Sequence, residues 1–181
     1  VIDEHSSDRT GWARFSDDRV HRYRLRRLVS SHATAIGYEP HLVRVVFVML
    51  NPSTADAFKV DPTISKCCQF AKLWGADVLE VVNLFSFRSP HPKVLKAAEH
   101  RGCGLTNDEA ILEAVTGADR VVAAWGAGGE LGGRAKVVRD MLLDHGHRLE
   151  HLGLTQDGHP KHPLARGRHL IPLTQKPAVL A

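Results

Sequence analysis

Apolar residues in this chain gather in short, nearly unbroken runs. The segments "VRVVFVML" (residues 43–50), "DVLEVVNLF" (77–85), "DRVVAAWG" (119–126) and "HRLEHLGLT" (147–155) read as strands. The first three are rich in valine and alternate poorly, which suits strands covered on both faces. Helical spacing recurs between them at 64–73, 107–115 and 134–145. In the last of these Ala135, Val138, Met141 and Leu142 share one face, and Gly146 follows as a C-cap. Asp61 or Thr63 stands as N-cap ahead of the first helix. Strand alternating with helix implies right-handed crossovers. The expected fold is α/β, a mostly parallel four-stranded sheet between helices in three layers. With no repeat and no internal linker, one domain over residues 1–181 is expected, with short mobile tails at 1–11 and 172–181.

Each strand runs into a cluster of special residues: "NPSTAD", "NLFSFRSP", "WGAGG" and "GLTQDGHPKHPL". In an open parallel sheet these clusters fall at the carboxyl edge, where such folds bind ligands. Pro52 ends the pairing of its strand and pushes Asn51 towards an extended conformation. The Asn51 amide then projects with both a donor and an acceptor, and Ser53, Thr54 and Asp56 add hydroxyls and a carboxylate. A turn-forming Asn-Pro is the plainer reading. Asn83 and Arg88 flank Phe85 and Phe87, which either stack on a flat ligand or belong to the core. The glycines after Trp125 do not make a dinucleotide fingerprint, because Leu131 stands where a third glycine is needed; a close backbone approach at Gly126 stays open. His159 and His162 offer acid or oxyanion-binding chemistry. The prolines around them exclude a helical metal pair.

Composition narrows the class. Over 181 residues, 43% are hydrophobic and 24% charged, as in a soluble globular protein. No apolar run has the length of a membrane span, and residues 1–10 are too polar for a signal peptide. Three cysteines, two of them adjacent, suit a reducing cytoplasm. The net charge is +4, with five arginines between residues 19 and 27. That cluster fits a phosphate-bearing partner, or a half-exposed strand in which Arg22, Arg24 and Arg26 alternate with Tyr23 and Leu25. Walker, G-x-S-x-G and H-E-x-x-H patterns are missing. No metal and no cofactor is expected.

"RYRLRR", "MLNPSTAD", "DPTISKC", "WGADVLEVVNLFSFRSP", "GLTNDEAI", "AAWGAGG" and "GLTQDGHPKHPL" together resemble the family catalogued as domain of unknown function 1643, over roughly residues 15–164. More distantly, the order of motifs is similar to the uracil-DNA glycosylase superfamily. In its mismatch-specific branch the first strand ends in Gly-Ile-Asn-Pro-Gly, which "MLNPS" matches at Asn51 and Pro52. "VVNLFSFRSP" is similar to its Asn-containing second strand and Arg-Pro loop, "VVAAWG" to its apolar strand ending in glycine, and "KHPL" to its closing His-Pro-Ser loop. Leu50 and Ser53 stand where that branch has glycines, and Leu164 replaces the serine. The resemblance implies a DNA glycosylase-like hydrolase that flips a damaged or modified base into a cleft. Asn51, with Asp56, would orient water, and His162 would stabilise the departing base. Pro52, Ser53, Asn83, Phe85, Phe87, Arg88 and Gly126 would bind the substrate. Arg22, Arg24, Lys161, Pro163 and Leu164 would follow the nucleic-acid backbone. The expected partner is nucleic acid, DNA ahead of RNA, or a nucleotide-like ligand. Two other readings stay open: an enzyme acting on free nucleosides or nucleotides, and a non-catalytic reader of a modified base.

Overall fold

The computed structural model describes residues 1–30, 42–96 and 102–180. The chain opens with three strands, β1 (Ile2–His5), β2 (Gly11–Phe15) and β3 (Arg22–Leu28). There follow β4 (Arg44–Met49), helix α1 (Pro62–Leu73), β5 (Val78–Asn83) and α2 (Leu105–Val115). The chain then forms β6 (Arg120–Ala123), α3 (Arg134–Asp144), β7 (Leu149–His151) and β8 (Ala178–Val179). All eight strands join one sheet in the order β1-β2-β3-β5-β4-β6-β7-β8.

The α/β class stands, but the sheet is not a four-stranded parallel one. Its parallel part is β5-β4-β6-β7, built from the four apolar runs. Antiparallel β1, β2 and β3 extend it beyond β5, and antiparallel β8 beyond β7. Of these, β3 covers the alternating segment open to a half-exposed-strand reading, whereas β1, β2 and β8 escape a hydrophobicity reading because they are short or alternate with polar residues. The segments expected as tails each carry one: Ile2–His5 is β1, and Ala178–Val179 is β8, with Ala181 outside the described residues.

Burial explains the rest of the layering. Every residue of β5, and all but the first of β4, is buried. One face packs Phe15, Leu25, Phe47 and Met49 against Ile64, Cys67 and Phe70 of α1. The other packs Val46, Val48 and Val82 against Ile111 of α2 and Val138 and Leu142 of α3. Asp61 caps α1 by accepting the Ile64 N–H at 2.9 Å, and Pro62 occupies the first turn.

A change of phase in β3 matters more for the site. Arg14 faces Arg24 across the β2–β3 pair, yet Phe15 faces Arg22, so Tyr23 is an extra residue. The shift turns Arg22 to the side of Phe15, the face that α1 covers. Arg24 and Arg26 remain on the other face, where Glu80 of β5 is fully buried. Arg24 Nε donates to Glu80 Oε1 at 2.6 Å, and Arg26 and Arg44 each reach Oε2 at 3.2 Å. Arg24 also bonds Glu113 at 2.7 Å. Two of the five clustered arginines, Arg24 and Arg26, therefore belong to a structural ion-pair network, and Arg24 is not free to follow a nucleic-acid backbone.

Replacing Glu80 by alanine strands Arg24 in the sheet with only the half-exposed Glu113. Loss of one partner from a buried pair costs about 3–5 kcal/mol, a large share of a domain's total stability. Urea denaturation of Glu80→Ala should show that loss; a change within about 1 kcal/mol, the range of surface pairs, would mean the network is solvated.

Candidate active site at the carboxyl edge of the sheet

β4 leads through α1 to β5 on one side, whereas β6 leads through α3 to β7 on the other. The carboxyl ends of β4 and β6 thus form a switch point, the place where an open α/β sheet leaves a crevice. A cavity of about 330 Å³ lies there. Asn51, Asn83 and Trp125 reach it from the ends of β4, β5 and β6. Arg22, Asp61 and His162 complete its polar wall.

The Asn51 amide is fixed by its surroundings. Nδ2 donates to the carbonyls of Pro52 at 3.0 Å and Ser89 at 2.9 Å. Two carbonyl partners require the nitrogen on that side, so Oδ1 is the free acceptor, without a partner among the described residues. Asn83 presents the reverse case. It is 1% exposed, and its Nδ2 is buried without a hydrogen-bond partner among the described residues. A buried donor left unpaired costs about 1–3 kcal/mol, which a ligand oxygen or ring nitrogen would recover. Its backbone is held from behind, since Asn107 Nδ2 donates to the carbonyls of Asn83 at 3.0 Å and Leu84 at 3.1 Å. Arg134 Nε adds a bond to Leu84 O at 2.9 Å.

Arg22 is 2% exposed and donates from one terminal nitrogen to Ala55 O at 2.9 Å. Its Nε has no partner among the described residues. Burial lowers its pKa to about 9, against the pull of Asp61, so the guanidinium stays charged at neutral pH. His162 accepts the Leu164 N–H on Nδ1 at 3.1 Å. A ring that accepts on Nδ1 carries its hydrogen on Nε2. Burial also lowers its pKa from 6.5, with Asp61 acting weakly the other way. His162 is thus a neutral Nε2–H donor. Opposite these donors, Asp61 is the one carboxylate lining the cavity among the described residues.

The remaining candidates are spread around this centre. Ser53 lines the cavity; Pro52 is buried beneath it, its carbonyl accepting the Ser89 N–H at 2.8 Å. Asp56 does not line it; Oδ1 accepts the N–H groups of Phe58 at 2.9 Å and Lys59 at 2.8 Å, closing a turn. Phe85 is 1% exposed within the core, so the aromatic wall is Trp125. Phe87 and Arg88 lie in an adjoining cleft. Gly126, at φ +67°, donates to Pro160 O at 2.8 Å, which ties the residues after β6 to the chain just before His162. Lys161 packs its stem beside Gly153, Pro163 is buried, and Leu164 is exposed.

Sequence reasoning passed over Trp125 and Asp61 as site residues. Asp61 was legible as a helix cap, and the cap uses only Oδ1. The described residues hold no cluster of three or more His, Cys, Asp or Glu placed for a metal ion. None of the described helices is long and apolar enough to cross a membrane.

The family described as "Protein of unknown function (DUF1643)" matches residues 22–164, and the chain belongs to it. That span runs from Arg22 through the His162 loop. No curated protein and no solved structure matches the chain.

A depressed histidine pKa has a defined sign. The unfolded chain binds the proton first, so the stabilisation from neutral His162 is complete above about pH 6.5 and is lost as the pH falls below it. Long-range ¹H–¹⁵N spectra should show the Nε2–H tautomer with a midpoint below 6.5. A midpoint at or above that value, or a hydrogen on Nδ1, would contradict the assignment.

Proposed function

We propose that this member of the DUF1643 family is an N-glycosidic hydrolase that holds a damaged or modified base from DNA in the switch-point cavity and releases it. The reading rests on one observation: a fixed Asn51 carbonyl oxygen shares a small cavity with the unpartnered Asn83 amide and the neutral His162 ring. About 330 Å³ is at the small end of ligand sites, which span about 300–1,000 Å³. That volume suits a single ring system better than a dinucleotide. The four motifs similar to the uracil-DNA glycosylase superfamily support the same reading.

The chemistry follows from the charges. Trp125 offers an aromatic wall to the base, and Asn83 Nδ2 donates to one of its edge acceptors. Water, hydrogen-bonded to Asn51 Oδ1, attacks the sugar C1′ as the C1′–N bond breaks. The bonding pair leaves with the base, and negative charge develops on it. His162 donates Nε2–H to that charge, stabilising it without transferring a formal proton. Arg22 adds positive potential. An amide cannot accept the water's proton, and Asp61, through the oxygen its helix cap leaves free, is the group that does.

The test is base release from end-labelled oligonucleotides carrying uracil, hypoxanthine, xanthine, alkylated or hypermodified bases, single- and double-stranded. Asn51→Ala should lower turnover by about 10²–10⁴-fold, the scale of a positioned acid–base step, with little change in binding. Asp61→Asn should do the same. Equal losses in binding and turnover for Asn51→Ala would remove its catalytic role, and absence of abasic product across the panel would overturn the hydrolase reading.

A further inference from the structure

A second depression begins where the cavity ends. The two share Ser53, Ser89 and Pro90, and the second, of about 390 Å³, is lined further by Arg19, Thr54, Phe87 and Arg88. Its wall holds two cations and no anion. Arg19 and Arg88 lie on the Phe15 ring, each guanidinium carbon 4.8 Å from the ring centre. Arg88 donates to Arg19 O at 3.3 Å, and its Nε is buried without a partner among the described residues. Arg88 has no carboxylate partner among the described ion pairs; Arg19 pairs with Glu4, which is not part of the cleft wall. Burial, and after it the charge of Arg19, lowers the pKa of Arg88.

Local structure holds these groups in place. The turn at residues 16–20 repeats the design of the turn at 6–10. In each a serine hydroxyl donates to an aspartate, and that aspartate accepts a backbone N–H two residues on. In each the arginine after the aspartate has positive φ, +57° at Arg9 and +60° at Arg19. Such a conformation is costly for a side chain with a Cβ. Ser53 and Thr54 also line the cleft, and neither makes a hydrogen bond to any described residue. Two cations in one cleft, with two hydroxyl side chains that no protein group occupies, are the complement of a phosphate.

We propose that this cleft is a phosphate subsite continuous with the base cavity, so that the substrate is a nucleotide rather than a nucleoside or free base. The assignment rests on the reading of the cavity as a base site. The phosphate belongs either to a phosphodiester of a strand or to a free nucleotide. Phe87, half-buried in the same wall, gives the sugar or the next base an apolar surface.

Calorimetric titration at constant ionic strength separates the cases. Inorganic phosphate, the deoxynucleoside monophosphates (deoxyuridylate included), their parent nucleosides and a single-stranded trinucleotide are titrated into the full chain. The same series is run on Arg19→Gln, Arg88→Gln and Thr54→Glu. Each monophosphate should bind the unmodified chain about tenfold or more tightly than its nucleoside, as charge-assisted bonds to one phosphate allow. Each substitution should remove most of that gain. Thr54→Glu alters an exposed position and keeps the test alive if loss of Arg88 from the Phe15 ring prevents folding, which circular dichroism would reveal. Equal affinity for nucleotide and nucleoside, a gain that survives all three substitutions, or no heat from any phosphate compound would overturn the subsite. Tighter binding of the trinucleotide than of any monophosphate assigns the phosphate to a strand, and the reverse to a free nucleotide; both keep the site. A chain that gains affinity from phosphate but releases no base loses only the hydrolase reading. One that releases base without that gain loses only the subsite.

Discussion

A strand buried on both faces must satisfy its backbone polar groups within the sheet, and this constraint orders the whole molecule. β4 and β5 obey it along their length, with Glu80 as the one charged side chain inside either strand that is fully buried. Such strands offer chemistry only where pairing ends. Pro52, which has no N–H to donate, follows the last paired residues of β4, and the Asn51 amide begins where the ladder stops. The reversal of connections between β4 and β6 then opens the crevice into which the strand ends deliver their side chains. The cavity follows from the way the sheet terminates.

Charge is managed in two ways within one short stretch of β3. On one face Glu80 gathers Arg24, Arg26 and Arg44, so the cost of burying each ion is offset by a partner. On the other face, one extra residue away, Arg22 is buried beside Asp61 with its Nε unpartnered. A buried guanidinium without full pairing is tolerated where something else bonds to it. The contrast separates structural arginines from the one that faces the cavity, although they alternate evenly in the sequence.

Much of this was legible in the sequence, for physical reasons that can be named. The valine-rich runs marked β4, β5 and β6 because double burial removes the need for polar alternation. The α1 start was legible from Asp61 and Pro62, and the end of α3 from Gly146 at φ +79°. Arg22 was misplaced because a period of two continues through "RYRLR", and nothing in those letters marks Tyr23 as an extra residue. Phe85, after Asn83 at a strand end, left two readings open, a stacking platform or a core residue. It lies in the core, and Trp125, which read as the last apolar residue of its own strand, lines the cavity. Strand existence is a local property of composition, whereas the face a strand-end residue takes depends on neighbours far away in sequence.

The balance of donors and acceptors constrains the ligand further than shape does. Asn83 Nδ2, Arg22 Nε and His162 Nε2 all donate, and none has an acceptor among the described residues. Asn51 Oδ1 and Asp61 are the matching acceptors in the same space. A ligand that fills this set therefore offers acceptors to three donors and donors to two acceptors. Protonation of His162 would break its bond from the Leu164 N–H and place a second cation beside Arg22. Burial opposes both, and so holds the ring in the neutral form that can donate to a developing negative charge without adding a cation to the resting site.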